Sequence, residues 1–162
     1  MPSPFNTPEE NEECFSQFEA WLDEHSDIIA CILVEPQWGS TAAAYPWPKD
    51  LLKRYISLAH KRGILVIADE IMCGLSRHGQ GSCFVTEAWE LDVDAVTFGK
   101  AIGAGVFPIS GCLIRRGAKT LGLVGKTVMQ SHTYSGSSIR SLMTATEVLK
   151  LLKNPEITKT VT

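Results

Sequence analysis

The chain has 162 residues, which suits a single domain with a buried core. Its 44% hydrophobic and 20% charged residues are typical of a globular protein and exclude a disordered chain. The net charge of −3 without a cluster of Lys and Arg argues against nucleic-acid binding, and no apolar run approaches the roughly 18 residues that a membrane span needs.

The cysteines indicate a reducing compartment. Five are present, an odd number, and none forms a Cys-x-x-Cys pair, so neither a metal site nor a disulfide framework is expected. Cys31 and Cys112 lie inside apolar runs and are predicted to be core thiols. The first residues have neither the basic nor the apolar region of a secretory signal, so we expect a soluble, cytoplasmic protein.

The first predicted element is a helix. Residues 1–6 are expected to be a loose tail, and residues 7–162 to form one domain. The run Thr-Pro-Glu-Glu at 7–10 offers an N-cap, a proline at the first helical position and a glutamate three residues after the cap. Apolar residues then recur at helical spacing up to about His25.

A strand, a helix and a second strand follow. The apolar run 28–34 predicts a strand buried on both faces, and it stops at Glu35-Pro36. A helix opens at Pro48 and ends before Gly63. Its predicted buried face consists of Leu51, Leu52, Tyr55, Ile56 and Ala59. With a strand at 64–68, this order predicts a right-handed βαβ unit.

The remaining elements complete an α/β pattern. We expect a short helix at 85–90, strands at 95–98 and 111–114, and a helix from Ile139 that Asn154-Pro155 ends. The predicted fold class is therefore α/β, with a mostly parallel sheet and flanking helices.

Two polar residues follow buried strands of this predicted sheet. Asp69 ends the strand that begins at Ile64, and Lys100 follows the strand at 95–98 after a single glycine. Ligands of open α/β sheets bind at the carboxyl ends of the strands. A carboxylate and a lysine at that edge suit the two ends of pyridoxal phosphate, because a desolvated lysine can form a Schiff base.

Each residue also has a structural interpretation. Asp69 could cap a nearby helix or pair with Arg77, since a buried carboxylate needs a partner. Lys100 could be an ordinary solvated lysine. The occurrence of both residues after neighbouring strands favours a ligand site.

A remote alternative is a P-loop NTPase. The run Ile64–Glu70 is similar to a Walker B strand, and 120–127 approaches the P-loop pattern. That pattern requires glycine where Thr120 stands, and the two motifs occur in reversed order.

A series of motifs follows in order along the chain: Leu33–Pro36, Ala68–Gly74, Arg77–Gly79, Phe98–Gly105, Pro108–Gly111 and His132–Gly136. With these motifs the chain resembles the class III aminotransferases, pyridoxal-phosphate enzymes that include ornithine, 4-aminobutyrate and other ω-aminotransferases. The resemblance covers about residues 15–155.

The resemblance implies part of the large domain of the aspartate-aminotransferase-like fold and assigns roles around the cofactor. Lys100 matches the lysine that forms the Schiff base and moves the proton. Asp69 matches the carboxylate that keeps the ring nitrogen protonated. Ile71 matches the residue packed on one face of the ring, and Met72 stands where many members carry a glutamine that bonds the cofactor's phenolic oxygen.

Two further matches concern the subunit partner and the substrate. Thr133 matches a threonine that reaches the phosphate of the neighbouring subunit's cofactor, which implies a homodimer. Glu35 matches a glutamate near the substrate entrance that, in some members, pairs with a substrate-selecting arginine. The implied substrates are a small-molecule amino donor and a keto acid or aldehyde acceptor, with neither nucleic acid nor membrane involved.

The length of the chain supports a second hypothesis. Full members of the family are considerably longer, and segments that complete their pocket have no counterpart in this sequence. The alternative function is therefore that of a catalytically incompetent fragment or remnant, which acts as a binding or association module through exposed apolar surface.

Overall fold

A computed structural model describes residues 5–115 and 138–158 of the chain. In these ranges the strands are β1 (Cys31–Val34), β2 (Leu65–Asp69), β3 (Ala95–Phe98) and β4 (Gly111–Ile114). The α-helices are α1 (Pro8–His25), α2 (Lys49–Lys61), α3 (Val85–Ala88), α4 (Ile139–Leu152) and α5 (Pro155–Thr158). Short 3-10 turns occur at Ser40–Ala42 and Lys100–Gly103.

The start of α1 confirms the predicted capping box. The backbone N–H of Glu10 donates to Thr7 Oγ1 at 3.2 Å, and the N–H of Thr7 donates to Glu10 Oε2 at 2.7 Å. These bonds satisfy two amides that the first helical turn leaves without partners. The division into a tail of residues 1–6 and a domain of 7–162 stays a prediction.

The strands form one mixed sheet in the order β1-β2-β3-β4. The first three strands are parallel, and β4 runs antiparallel to β3. Val34 pairs with Ala68, and Asp69 pairs with Thr97. This confirms the predicted α/β class with a mostly parallel sheet, and it brings the ends of β1, β2 and β3 to one edge.

Several strands and helices begin or end at other residues than predicted, because turns at the ends of helices take up part of the predicted ranges. The N–H of Ile28 bonds His25 O at 3.1 Å, so the apolar run begins in a turn and β1 starts later than predicted. The N–H of Ile64 likewise bonds Ala59 O at 3.1 Å. Glu90 has a positive φ of 54°, and α3 ends before it.

One face of the sheet is covered by α1, α2 and α3. Its core joins residues from these helices to alternate strand positions, including Leu22, Leu52, Ile56, Ala59, Val66, Ala68, Val85 and Val96. The buried face predicted for α2 is confirmed, since all five of its residues are buried. Burial at about 25 cal/mol per Å² of apolar surface makes this layer the main source of stability in the described part of the fold.

The opposite face of the sheet is open in the described part of the chain. Leu33 is 62% exposed and Ile114 is 48% exposed. The prediction that β1 is buried on both faces is wrong, because successive residues of a strand point to opposite sides and only one side is covered. The predicted core position of Cys31 and Cys112 is wrong for the same reason, and both thiols are exposed.

Two features are absent from the described residues. None of their helices combines the length and the hydropathy needed to cross a bilayer. Within the same ranges, no three His, Cys, Asp or Glu side chains are placed to share a metal ion.

Candidate active site

Asp69 is held at the end of β2 by the backbone that follows it. Its Oδ1 accepts a hydrogen bond from the N–H of Ile71 at 2.9 Å. This is a local Asx-type turn, and it fixes one carboxylate oxygen while the side chain remains half-buried. Within the described residues the carboxylate forms no ion pair with Arg77, so that structural interpretation finds no support there.

Lys100 stands two residues beyond the end of β3 and opens a 3-10 turn. Its φ is 43°, in the left-handed region that costs a non-glycine residue of order 1–3 kcal/mol. Such backbone strain concentrates at functional sites, because the surrounding structure must hold it in place. The side chain of Lys100 is exposed at the carboxyl edge of the sheet.

Ile71 links the two segments that carry Asp69 and Lys100. Its Cγ2 lies 3.4 Å from the point that a Cβ of Gly99 would occupy. The loop after β2 therefore packs directly against the turn after β3. The structure thus brings Asp69 and Lys100 to the same edge, from adjacent parallel strands.

Glu35 joins this edge from the third parallel strand. It follows β1 directly, its side chain is exposed, and its Oε2 lies 3.0 Å from the Cβ position of Gly39. Met72 is half-buried in the loop after Asp69. Thr133 lies outside the described residues, as do the P-loop candidates at 120–127.

Glu70 is a site residue that the sequence analysis missed. The residue is only 1% exposed, and its carboxylate accepts the N–H of Val85 at 2.7 Å and that of Thr86 at 2.8 Å. Glu70 thereby closes the loop that begins at Asp69. The available signal was strand alternation, since the residue after a half-buried Asp69 must point to the covered face.

Thr97 is a second residue that the sequence analysis missed. It is the register partner of Asp69, and its buried Oγ1 has no hydrogen-bond partner in the described structure. A buried hydroxyl without a partner costs about 1–3 kcal/mol and requires an explanation. Pairing the two strands could have predicted that Thr97 lies next to Asp69. The sequence does not indicate that the Thr97 hydroxyl lacks a hydrogen-bond partner in the described structure.

The loop between Asp69 and α3 also contains titratable groups. Burial, reinforced by the nearby carboxylate of Glu70, raises the pKa of the Cys73 thiol to about 12. Burial lowers the pKa of His78, whose ring also bonds Ser82 O at 3.1 Å. Cys73 is therefore a protonated thiol at neutral pH and a poor nucleophile.

A cavity of about 440 Å³ lies away from this edge, between α1, β1 and α2. Its lining is mostly apolar and includes Phe18, Trp21, Trp47 and Tyr55, and neither Asp69 nor Lys100 is part of it. The described lining residues include no carboxylate, lysine, arginine or histidine. The edge with Asp69 and Lys100 is therefore the candidate active site.

The chain belongs to the class-III aminotransferase family, whose model matches residues 1–162. It is 29% identical over 167 residues to vanillin aminotransferase of Capsicum frutescens, covering 97% of this chain and 36% of that protein. It is 40% identical over 96 residues to ornithine aminotransferase of Staphylococcus carnosus, covering 59% of this chain and 24% of the relative.

Solved structures agree with this assignment. A thermostable (S)-enantioselective ω-transaminase from Thermomicrobium roseum matches with a TM-score of 0.80 and 27% identity, over 96% of this chain and 35% of that one. Ornithine aminotransferase from Toxoplasma gondii, with partial occupancy of PLP at its active site, matches with a TM-score of 0.68 and 29% identity, over 87% and 32%. The chain thus spans about a third of the length of these proteins.

Class-III aminotransferases depend on pyridoxal phosphate, and the described residues fit that group. A carboxylate for the ring nitrogen and a primary amine for the aldehyde stand at one edge. An aliphatic side chain, Ile71, lies against Gly99, the residue before Lys100. The hydroxyl of Thr97 adds a buried polar atom in need of a partner beside Asp69.

Proposed function

We propose that this chain carries the ring-binding and amine-bearing part of a transaminase site. The reaction transfers an amino group from an amino acid or amine to a keto acid or aldehyde. The observation that supports the proposal is the arrival of Asp69 and Lys100 at one sheet edge from adjacent parallel strands. Ile71 packs between the two segments and fixes their relation.

Each residue has a chemical task in this proposal. Bound pyridoxal phosphate would stabilise negative charge that develops at the substrate carbon. Asp69 supplies a negative charge opposite the ring nitrogen, and the Ile71 N–H bond holds that carboxylate in one orientation. Lys100 supplies the amine that binds the aldehyde, and its Nζ accepts and returns the proton of the substrate carbon.

The other proposed roles concern the surroundings of the ring. Ile71 presents an apolar surface to one ring face, and Met72 lies beside it without the hydrogen-bond donor that a glutamine would give. Glu35, on the end of β1, faces incoming substrate. Thr133 is proposed to bind the phosphate of a second subunit's cofactor, so that the working form is a homodimer. A cytoplasmic location remains part of the proposal.

The proposal is tested by titrating the purified chain with pyridoxal phosphate and recording the visible absorbance of the lysine adduct. We expect a saturable band that is lost in Lys100→Ala and kept in Lys61→Ala. Lys61 is exposed at the end of α2, so it controls for adducts on surface lysines. Absence of a saturable band in the wild-type chain, or its persistence in Lys100→Ala, would contradict the proposal.

The second candidate function is an association module without catalysis. It is supported by apolar side chains that lie exposed on the open sheet face and on α4. Leu33 is 62% exposed, and on α4 Ile139 is 75% and Met143 is 64% exposed. Such surface favours association. Size-exclusion chromatography with and without pyridoxal phosphate discriminates, because an association module forms the same complex in both conditions.

A further inference from the structure

We infer that Thr97 is a positioning residue for Asp69: its hydroxyl, which has no hydrogen-bond partner among the described residues, is donated to the Asp69 carboxylate when pyridoxal phosphate binds. This inference rests on the proposed function, because it assigns the task of Asp69 to the ring nitrogen. It adds a residue outside the matched motifs around Asp69 and Lys100.

The register of the sheet places the two side chains next to each other. Asp69 and Thr97 are paired across adjacent parallel strands, whose backbones lie roughly 4.8 Å apart. Residues paired in this way project from the same face of the sheet. The carboxylate of Asp69 is therefore the acceptor nearest in register to the Thr97 side chain on β2.

Backbone groups next to the pair already have hydrogen-bond partners. The N–H of Glu70 donates to Thr97 O at 2.9 Å, and the N–H of Ile71 donates to Asp69 Oδ1 at 2.9 Å. Within the described residues, two groups are left over: the second carboxylate oxygen, Oδ2, and the buried hydroxyl of Thr97. One is an acceptor, and the other can donate.

A cation at the ring nitrogen changes the hydrogen bonding that the Asp69 carboxylate and the Thr97 hydroxyl favour. A carboxylate in an ion pair must hold one orientation, and a hydrogen bond to its free lone pair fixes that orientation. The Thr97 hydroxyl reaches new directions by rotating between staggered χ1 positions, with no movement of β3. The hydroxyl that has no partner within the described residues thus becomes a satisfied donor in the bound form.

This arrangement predicts that replacing Thr97 stabilises the cofactor-free chain and weakens the binding of pyridoxal phosphate. In Thr97→Val, a variant of the same shape, the unsatisfied hydroxyl is gone, so the melting temperature of the cofactor-free chain rises by about 2 °C. The dissociation constant for pyridoxal phosphate rises about tenfold, equivalent to about 1.4 kcal/mol. Thr97→Ser keeps the hydroxyl, so its dissociation constant stays near the wild-type value.

Tyr55→Phe is the matched control. Tyr55 Oη is also buried without a partner in the described structure, but it lies on α2, in the helical layer away from the candidate site. Its removal raises the melting temperature and leaves the dissociation constant unchanged.

The experiment measures melting temperatures and pyridoxal phosphate binding for the wild type and the three variants. Unchanged affinity in Thr97→Val, or a lower melting temperature of its cofactor-free form, overturns the inference and leaves the proposed function standing. A dissociation constant for Thr97→Ser that is as high as that of Thr97→Val also overturns the inference. If the wild-type chain binds no pyridoxal phosphate, the proposed function fails, and this inference fails with it.

Discussion

The carboxylate of Glu70 accepts the backbone N–H of Val85 at 2.7 Å, deep in the core and one residue after Asp69. This bond, with the second one from Thr86, attaches the start of α3 to the end of β2. The loop that presents Ile71 and Met72 is thereby closed at both ends. The position of the candidate site depends on this buried contact as much as on the sheet.

Replacing Glu70 is expected to destabilise the chain strongly. Glu70→Ala leaves two buried amides without acceptors, so the free energy of unfolding falls by about 3 kcal/mol in urea denaturation. Glu70→Gln retains one acceptor oxygen and loses less. Glu87→Ala is the control, because Glu87 also accepts a backbone N–H, that of Cys83 at 3.1 Å, but is exposed. A loss in Glu87→Ala equal to that in Glu70→Ala contradicts this prediction.

A second carboxylate, partly buried and placed just before β3, contacts α2 and β2. Asp94 Oδ2 accepts His60 Nε2–H at 2.9 Å and the N–H of Val66 at 2.9 Å. We expect Asp94→Ala to lower the free energy of unfolding by about 2 kcal/mol, because both donors lose their acceptor. His25→Ala serves as the control, since in the described part of the chain the ring of His25 bonds Trp21 O and stacks on the Trp21 ring, both on its own helix. Comparable losses in both variants count against the assigned role.

Gly99, just before the Lys100 turn, and Gly111, at the start of β4, differ in their tolerance of a side chain. A Cβ on Gly111 would lie 2.5 Å from Cζ of Phe98, whereas one on Gly99 meets no atom closer than 3.4 Å. The φ of Gly99 is −167°, which any residue can adopt. Gly111→Ala is therefore expected to cost about 1–3 kcal/mol of stability, and Gly99→Ala much less. Thermal denaturation of the two variants measures the difference, and equal melting temperatures are the contrary outcome.

The stability of the chain is expected to fall in alkali. Burial raises the pKa of Cys73 from 9.0 to about 12, so the unfolded thiol ionises before the folded one. Its contribution to stability is complete below pH 9 and is lost as the pH rises toward 12. Burial likewise raises the pKa of Tyr55 from 10.0 to about 12. Urea denaturation from pH 8 to 11 should show a smaller decline for Cys73→Ala than for wild type, and an identical decline contradicts the prediction.

How well a feature could be predicted depends on how far apart in the sequence the residues that determine it lie. Local signals sufficed for the capping box at Thr7 and for the buried face of α2, because both depend on residues within one or two turns. The shared edge of Asp69 and Lys100 also followed from the sequence, since parallel strands align their carboxyl ends. The covering of each sheet face depends on distant segments, and for this reason the exposure of Leu33 and Cys112 was predicted wrongly. The bonds of Glu70 to α3 join residues fifteen and sixteen positions apart in the sequence, and no local pattern indicates them.

The end of α4 shows a smaller effect of the same kind. Asn154-Pro155 was predicted to stop the helix, and α4 does end at Leu152. Pro155 then begins the short helix α5, with Asn154 Oδ1 accepting the N–H of Glu156 at 3.1 Å. Proline favours the first turn of a helix as well as the end of the preceding one, so one residue carries both signals.

The most direct test of the central proposal is chemical trapping of pyridoxal phosphate on the chain. Borohydride converts the bond between the aldehyde and a lysine into a stable amine, and mass spectrometry of the tryptic peptides locates it. We predict one dominant adduct on Lys100, seen as the uncleaved peptide 78–115, and its strong reduction in Asp69→Asn. Labelling spread evenly over exposed lysines such as Lys61, or an adduct on Lys100 that is independent of Asp69, would contradict the proposed pairing of these two residues.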